Sequence, residues 1–97
     1  MLDIYELQIF LAAAETGSFS EAGRRLQISQ PAVSMQIRSL EKRLGGELFS
    51  RAGRHIQLTE AGEALAAMAR ELVNLSIRTE EAIASLQGEV VGLLKLA

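Results

Sequence analysis

Ninety-seven residues, 48% of them apolar and with a net charge of −2, make one small folded domain, or one domain plus an extension. The absence of cysteine and the presence of a single histidine, His55, exclude a disulfide framework, a thiolate metal site and a histidine metal cluster within one chain. No apolar run is long enough to span a bilayer and no basic-then-apolar leader opens the sequence, so a cytoplasmic protein with no membrane partner is expected.

The stretch Leu2 to Glu15 reads as a helix, with Leu7, Phe10, Leu11 and Ala14 on one face. Ile4, Tyr5 and Ile9 widen the apolar surface beyond what one small core needs, which points to packing on another subunit. Thr16-Gly17-Ser18 ends this helix, with Gly17 available for a left-handed cap. A second, short helix follows. Ser20 is its expected N-cap, with Ser18 in competition because Ser18-x-x-Glu21 matches a capping box. Ala22 and Leu26 face inward, and Gly23 in mid-helix suits close approach to the next helix.

A tight turn at Gln27 to Ser29 leads into the third helix, capped by Ser29, with Pro31 in a first turn that does not need its N–H. Val33, Ile37, Leu40 and Leu44 form its buried face, and Gly45-Gly46 stops it. The opposite face carries Gln30, Ser34, Met35, Arg38 and Lys42. A short helix with one apolar face and one face of amide, hydroxyl and basic groups suits a DNA major groove, and this pattern reads as the recognition helix of a helix-turn-helix. Gln30 can pair both edge groups of adenine. Pro31, Ala32 and Met35 can touch a thymine methyl, Arg38 can reach guanine or phosphate, and Ser34 can bond either. Glu41 and Arg43 are expected to point sideways into solvent. From Arg24 to Arg54 seven bases stand against Glu41 and Glu47, whereas the flanking segments are acidic. The basic charge therefore lies on the helix pair despite a low overall pI, as phosphate contact requires.

Leu48 and Phe49, the polar run Ser50 to Arg54, and Ile56 and Leu58 alternating with His55 and Gln57 read as a small β-hairpin, a wing. Arg51 and Arg54 bracket its tip, and Arg54 is placed for the narrow, negative minor groove. His55 is expected to be a solvated wing residue. Thr59 caps a long helix running to about Gln87 and broken at Gly88. Ala61, Leu65, Met68, Leu72, Leu75, Thr79, Ala82 and Leu86 recur at alternating spacings of four and three, a heptad seam that argues for a coiled-coil-like partner helix. Thr79 is a candidate for fixing its register. Glu89 to Ala97 is a strand-like apolar run without a closing turn, expected to be the first strand of a missing domain.

The chain resembles the N-terminal DNA-binding region of LysR-type transcriptional regulators. The matching pieces are F-x-x-x-A-E-T-G-S-F-S-x-A from Phe10 to Ala22, L-x-x-S-Q-P-A-V-S-x-Q-I-x-x-L-E-x-x-L-G from Leu26 to Gly45, L-F-x-R from Leu48 to Arg51, and L-T-x-A-G from Leu58 to Gly62. The resemblance implies a mainly α fold, a winged helix-turn-helix over residues 1–58 followed by a linker (dimerisation) helix over 59–88, with 89–97 entering an effector-binding domain. It implies recognition-helix contacts at Gln30, Pro31, Ala32, Ser34 and Met35, a wing arginine at Arg54, and phosphate contacts at Ser20, Gln36, Arg51 and Thr59. Lys42, on the basic face, joins the phosphate-contacting set. The family's linker helices pair antiparallel into a dimer, and longer members often form tetramers and bind a small-molecule effector in a C-terminal domain. Gly23 stands where the family usually has a second alanine, and Met35 where it often has a polar or basic residue.

The expected function is therefore sequence-specific binding of double-stranded DNA at an interrupted inverted repeat by a transcriptional regulator acting as a homodimer or higher oligomer, with no cofactor in this segment. The alternative is a helical protein–protein interaction module without DNA readout, in which Gln30, Ser34 and Arg54 would have no special task. An enzyme is excluded: no cysteine, one histidine and no phosphate-cradling glycine loop leave nothing to carry catalysis.

Overall fold

Three capping side chains set where the first helices begin. In the computed structural model, which describes residues 1–96 and gives only the backbone for Ala52 and residues 88–96, helix α1 spans Ile4–Thr16, α2 Phe19–Leu26 and α3 Gln30–Leu44. Asp3 accepts the Tyr5 N–H at 2.9 Å, Ser18 the Glu21 N–H at 3.2 Å and Ser29 the Ala32 N–H at 3.2 Å. Each satisfies one of the orphan donors of a helix N-terminus. The cap of α2 is thus Ser18 rather than Ser20. The reason is the extended backbone of Ser18, with φ −155° and ψ 130°, which aims its hydroxyl at the new turn. All three helices end on a residue in the left-handed region: Gly17 at φ 69°, Gln27 at φ 59° and Gly45 at φ 80°. Gln27 does so without being glycine.

Strands β1 (Phe49–Ala52) and β2 (His55–Leu58) pair antiparallel, Phe49 with Leu58 and Ala52 with His55. The loop between them is two residues, shorter than the polar run in the sequence suggests, with Gly53 at φ 65° making the turn. Helix α4 then runs Glu60–Leu96 without interruption. The break expected at Gly88 does not occur, and the backbone of 89–96 is helical, not extended. A mid-helix glycine costs only about 1 kcal/mol, and no proline accompanies it. A short apolar run carries too little periodicity to separate strand from helix.

The core gathers Leu7, Ile9, Phe10, Leu11, Ala12 and Ala13 of α1, Ala22 of α2, Val33, Ile37 and Leu40 of α3, Leu48, and Ala66 and Ala69 of α4. Ile9, expected to reach another subunit, is buried here, whereas Tyr5 is exposed. Leu44, expected on the buried face of α3, is 48% exposed because the last turn outreaches the core.

Helix α4 is divided by face. Gly62, Ala66, Ala69 and the half-buried Val73 turn toward the chain's own core. Ala61, Met68, Leu72, Leu75, Thr79, Ala82 and Leu86 of the heptad seam are exposed, and only Leu65 is drawn against the core. The Thr79 hydroxyl donates to the Leu75 carbonyl at 2.7 Å, within its own helix. Gly62 sits directly under the wing: a Cβ there would overlap the Leu48 carbonyl oxygen. Replacing Gly62 by alanine is therefore expected to destabilise the chain by about 2–3 kcal/mol in urea unfolding. Gly46→Ala, whose added carbon meets nothing within 4 Å, is expected to change stability by no more than about 0.5 kcal/mol.

Candidate nucleic-acid interface

The N-terminal turns of α3 and the wing form one continuous surface. A shallow depression on α3 is lined by Gln30, Pro31, Ser34, Met35, Arg38 and Arg51. Five of these are among the six residues expected to read bases. The sixth, Ala32, is half-buried and lies off this lining. A second depression, over the start of α2, is lined by Ser20, Gln30, Arg51 and Arg54 together with Gly17, Ser18, Phe19 and Ile56. Gln30 and Arg51 belong to both, so the expected base-reading, phosphate and wing residues meet around them. Met35 is 68% exposed, an apolar side chain held in water on an otherwise polar face. Gln36 is half-buried and Lys42 exposed, and neither lines these depressions.

Several ties fix the wing against the helices. The Glu41 carboxylate accepts the Leu48 N–H at 2.8 Å, the Ile56 N–H donates to the Gly17 carbonyl at 3.1 Å, and the Thr59 N–H donates to the Leu48 carbonyl at 3.0 Å. The Phe49 ring packs between Phe10 and Phe19, with centroids 5.4 Å and 5.6 Å away. Offset and edge-on aromatic pairs of this kind add about 0.5–1.5 kcal/mol beyond their buried area. The Thr59 hydroxyl donates to the Glu47 carbonyl at 2.6 Å and accepts the Gly62 N–H at 3.1 Å. It caps α4, and its one O–H is committed inside the protein in this conformation.

Charge on this surface is sorted by pairing. Arg24 pairs with Glu21, Arg25 with Glu15, and Arg43 with Glu6. Among the described residues Arg38, Lys42, Arg51 and Arg54 form no ion pair, nor do Arg70 and Arg78 of α4, so within residues 1–58 the Lys and Arg side chains without an acidic partner lie on α3 and the wing. Glu41 and Arg43 do not point idly into solvent as the sequence suggested. Glu41 holds the wing, and Arg43 joins α3 to the start of α1 through Glu6 and the Met1 carbonyl, the latter at 2.9 Å. The Glu6–Arg43 pair joins residues far apart in the chain and leaves no local signal. Glu41 leaves one: an acid in the last turn of a helix opposes the macrodipole and needs a partner to hold it.

Among the described residues no helix is long and apolar enough to cross a membrane, and no cluster of His, Cys, Asp or Glu could hold a metal ion.

A family model described as the bacterial regulatory helix-turn-helix protein, lysR family, matches residues 4–63. An uncharacterized HTH-type transcriptional regulator in the ibpB-leuC intergenic region of Azotobacter vinelandii is 49% identical over 96 residues, covering 99% of this chain and 67% of that protein. The HTH-type transcriptional activator CmpR of Synechocystis sp. is 39% identical over 94 residues, covering 97% of this chain but only 31% of that protein. Among solved structures, the CbnR DNA-binding domain in complex with DNA superposes with a TM-score of 0.82 at 35% identity, covering 88% of this chain and 98% of that one. The chain thus spans about a third of the length of a curated regulator such as CmpR.

Removing the Glu41 carboxylate tests how the wing is held. Glu41→Ala leaves the half-enclosed Leu48 N–H without its acceptor and is expected to cost about 2 kcal/mol in denaturant unfolding. Glu41→Gln, which keeps a carbonyl oxygen, is expected to recover about half of that loss.

Proposed function

The chain belongs to the lysR family of bacterial regulatory helix-turn-helix proteins, and from that premise we propose that it reads operator DNA through the N-terminal turns of α3 with the wing alongside, as the DNA-binding part of a transcriptional regulator. The observation that carries this reading is the convergence of Gln30, Pro31, Ser34, Met35, Arg38 and Arg51 on one depression. These are the donors, acceptors and apolar groups that base edges require, and they surround one helix end of groove width. A similar solved structure, the CbnR DNA-binding domain, is itself a DNA complex.

The work is divided by chemistry. Arg38, Lys42 and Arg51 neutralise phosphates and release counterions, with Ser20 and Gln36 adding neutral donors to the backbone. Gln30, Ser34 and Arg38 offer hydrogen bonds to base edges, and Pro31, Ala32 and Met35 offer apolar contact to thymine methyl groups. Arg54 at the wing tip enters the adjacent minor groove. Thr59 serves the fold as the cap of α4, and any phosphate contact there would go through a rearranged hydroxyl.

The second part of the proposal concerns assembly. Residues 1–58 form the reading head and α4 beyond Thr59 the linker, whose exposed seam from Ala61 to Leu86 pairs antiparallel with a second copy. Pairing fixes the distance between two heads and hence the spacing of an interrupted inverted repeat. A small-molecule effector and a tetrameric state belong, in this reading, to a C-terminal effector domain of the longer regulator, acting in the cytoplasm.

DNA binding measured over a salt series tests the reading surface. On a preferred duplex, Gln30→Ala and Ser34→Ala are each expected to lose about 1–3 kcal/mol, with little change on random-sequence DNA. Arg54→Ala is expected to weaken binding and lower the log–log salt slope by about 0.9 if it neutralises one phosphate-flanked site. Equal losses on preferred and random DNA would remove sequence reading from α3. For assembly, Leu72→Glu combined with Leu75→Glu is expected to convert the chain to a monomer in sedimentation equilibrium while leaving its helical circular dichroism largely intact. A dimer that persists in that double variant would rule out the seam.

A further inference from the structure

One contact on the reading surface is already made in the protein alone. The Gln30 Nε2 donates to the Ser34 Oγ at 2.7 Å, across one turn of α3. The two residues stand four apart, on the same face of the helix, and both line the depression described above. A glutamine amide has two N–H donors and one carbonyl oxygen. Turning about its last, soft torsion exchanges the oxygen for the amino group, so a free side chain offers either polarity to a groove. With one N–H given to Ser34, what remains is one N–H and the oxygen. That pair complements adenine, whose N7 accepts and whose N6 amino group donates. Guanine presents two acceptors at the same edge and would face the amide oxygen with one of them.

Building on the DNA-reading function above, we propose that Ser34 is a positioning residue that, by accepting from the Gln30 amide, holds it along the groove face with one N–H and the oxygen outward and so makes Gln30 a reader of adenine through N7 and N6. Ser34 accepts in this contact, so its own O–H stays available as a donor to an acceptor on the neighbouring step, a base oxygen or a phosphate. The pair therefore offers a preset row of donor, donor and acceptor. Holding it costs DNA binding less ordering entropy than fixing a free glutamine in the groove would. Among the described residues no other side chain bonds Gln30 or Ser34, so the placement of the Gln30 amide rests on this one contact.

The test uses the 97-residue chain and duplexes it selects from a randomised pool. Each adenine of a selected half-site is replaced in turn by 7-deazaadenine, which deletes N7 and leaves Watson–Crick pairing intact. One position is expected to cost the wild type about fivefold in affinity, about half of a bidentate base contact. Gln30→Ala is expected to abolish that penalty, Ser34→Ala to reduce it to less than twofold, and Ser34→Thr, which keeps the hydroxyl, to restore it. A Ser34→Ala chain that retains the full penalty, or a selected half-site with no 7-deaza-sensitive adenine, overturns the positioning role while leaving sequence reading in place. If the wild type selects no common sequence at all, the DNA-reading function fails and this role with it.

Discussion

Leu48 is where the three working parts of the molecule meet. Its side chain is buried, its N–H is held by the Glu41 carboxylate from α3, and its carbonyl receives the Thr59 N–H at the entry to α4. The same carbonyl lies so close to α4 that only glycine fits at position 62. A buried peptide must have both its polar groups paired, and here the partners come from different elements. One residue thereby ties the recognition helix, the wing and the linker to one another. The aromatic contacts of Phe49 with Phe10 and Phe19 complete the arrangement by pressing β1 onto α1 and α2.

This framework explains how a chain with a net negative charge can present a basic surface. Arg24, Arg25 and Arg43 are each matched with a glutamate, two of them on α1. Exposed pairs of this kind contribute little to stability, so their main effect is on where uncompensated charge remains. Among the described residues of the first 58 it remains on Arg38 and Arg51, which line the depression at the N-terminal turns of α3, on Arg54 of the wing and on Lys42 in the last turn of α3, while Arg70 and Arg78 of α4 are likewise unpaired. Overall pI describes the average of the molecule, whereas a polyanion meets only one side of it.

Much of this was legible in the sequence because it is written locally. The caps at Ser29 and Gly45, the buried row Val33, Ile37 and Leu40, and the polar row Gln30, Ser34 and Arg38 all follow from helical periodicity and turn chemistry within a few residues. The exposed seam of α4 also follows from its heptad spacing. What escaped depends on contacts between distant positions. Glu41 and Arg43 looked like solvated charges because their partners, Leu48, Glu6 and Met1, become neighbours only once α1, α3 and the wing have docked. Ile9 looked surplus because the burial of α1 depends on α4 covering it. Gly88 looked like a stop signal because glycine marks a helix end only when the backbone turns left-handed, which composition does not report. Ser18 and Ser20 were both chemically eligible caps, and the backbone angle chose between them.

The division of α4 into an inner rail and an outer seam also makes it a lever. Gly62, Ala66 and Ala69 clamp the first turns to the head, and the helix then projects well past it, giving a molecule 63 Å long and 24 Å by 18 Å across. A helix of this length measures about 55 Å, so a tilt of only about 5° at its far end swings the clamped head through about 5 Å. That displacement exceeds the roughly 3.4 Å rise of one base-pair step. A head rigidly fixed to so long an arm needs no internal rearrangement to lose or gain register with DNA; a change of a few degrees where the arm is held is enough.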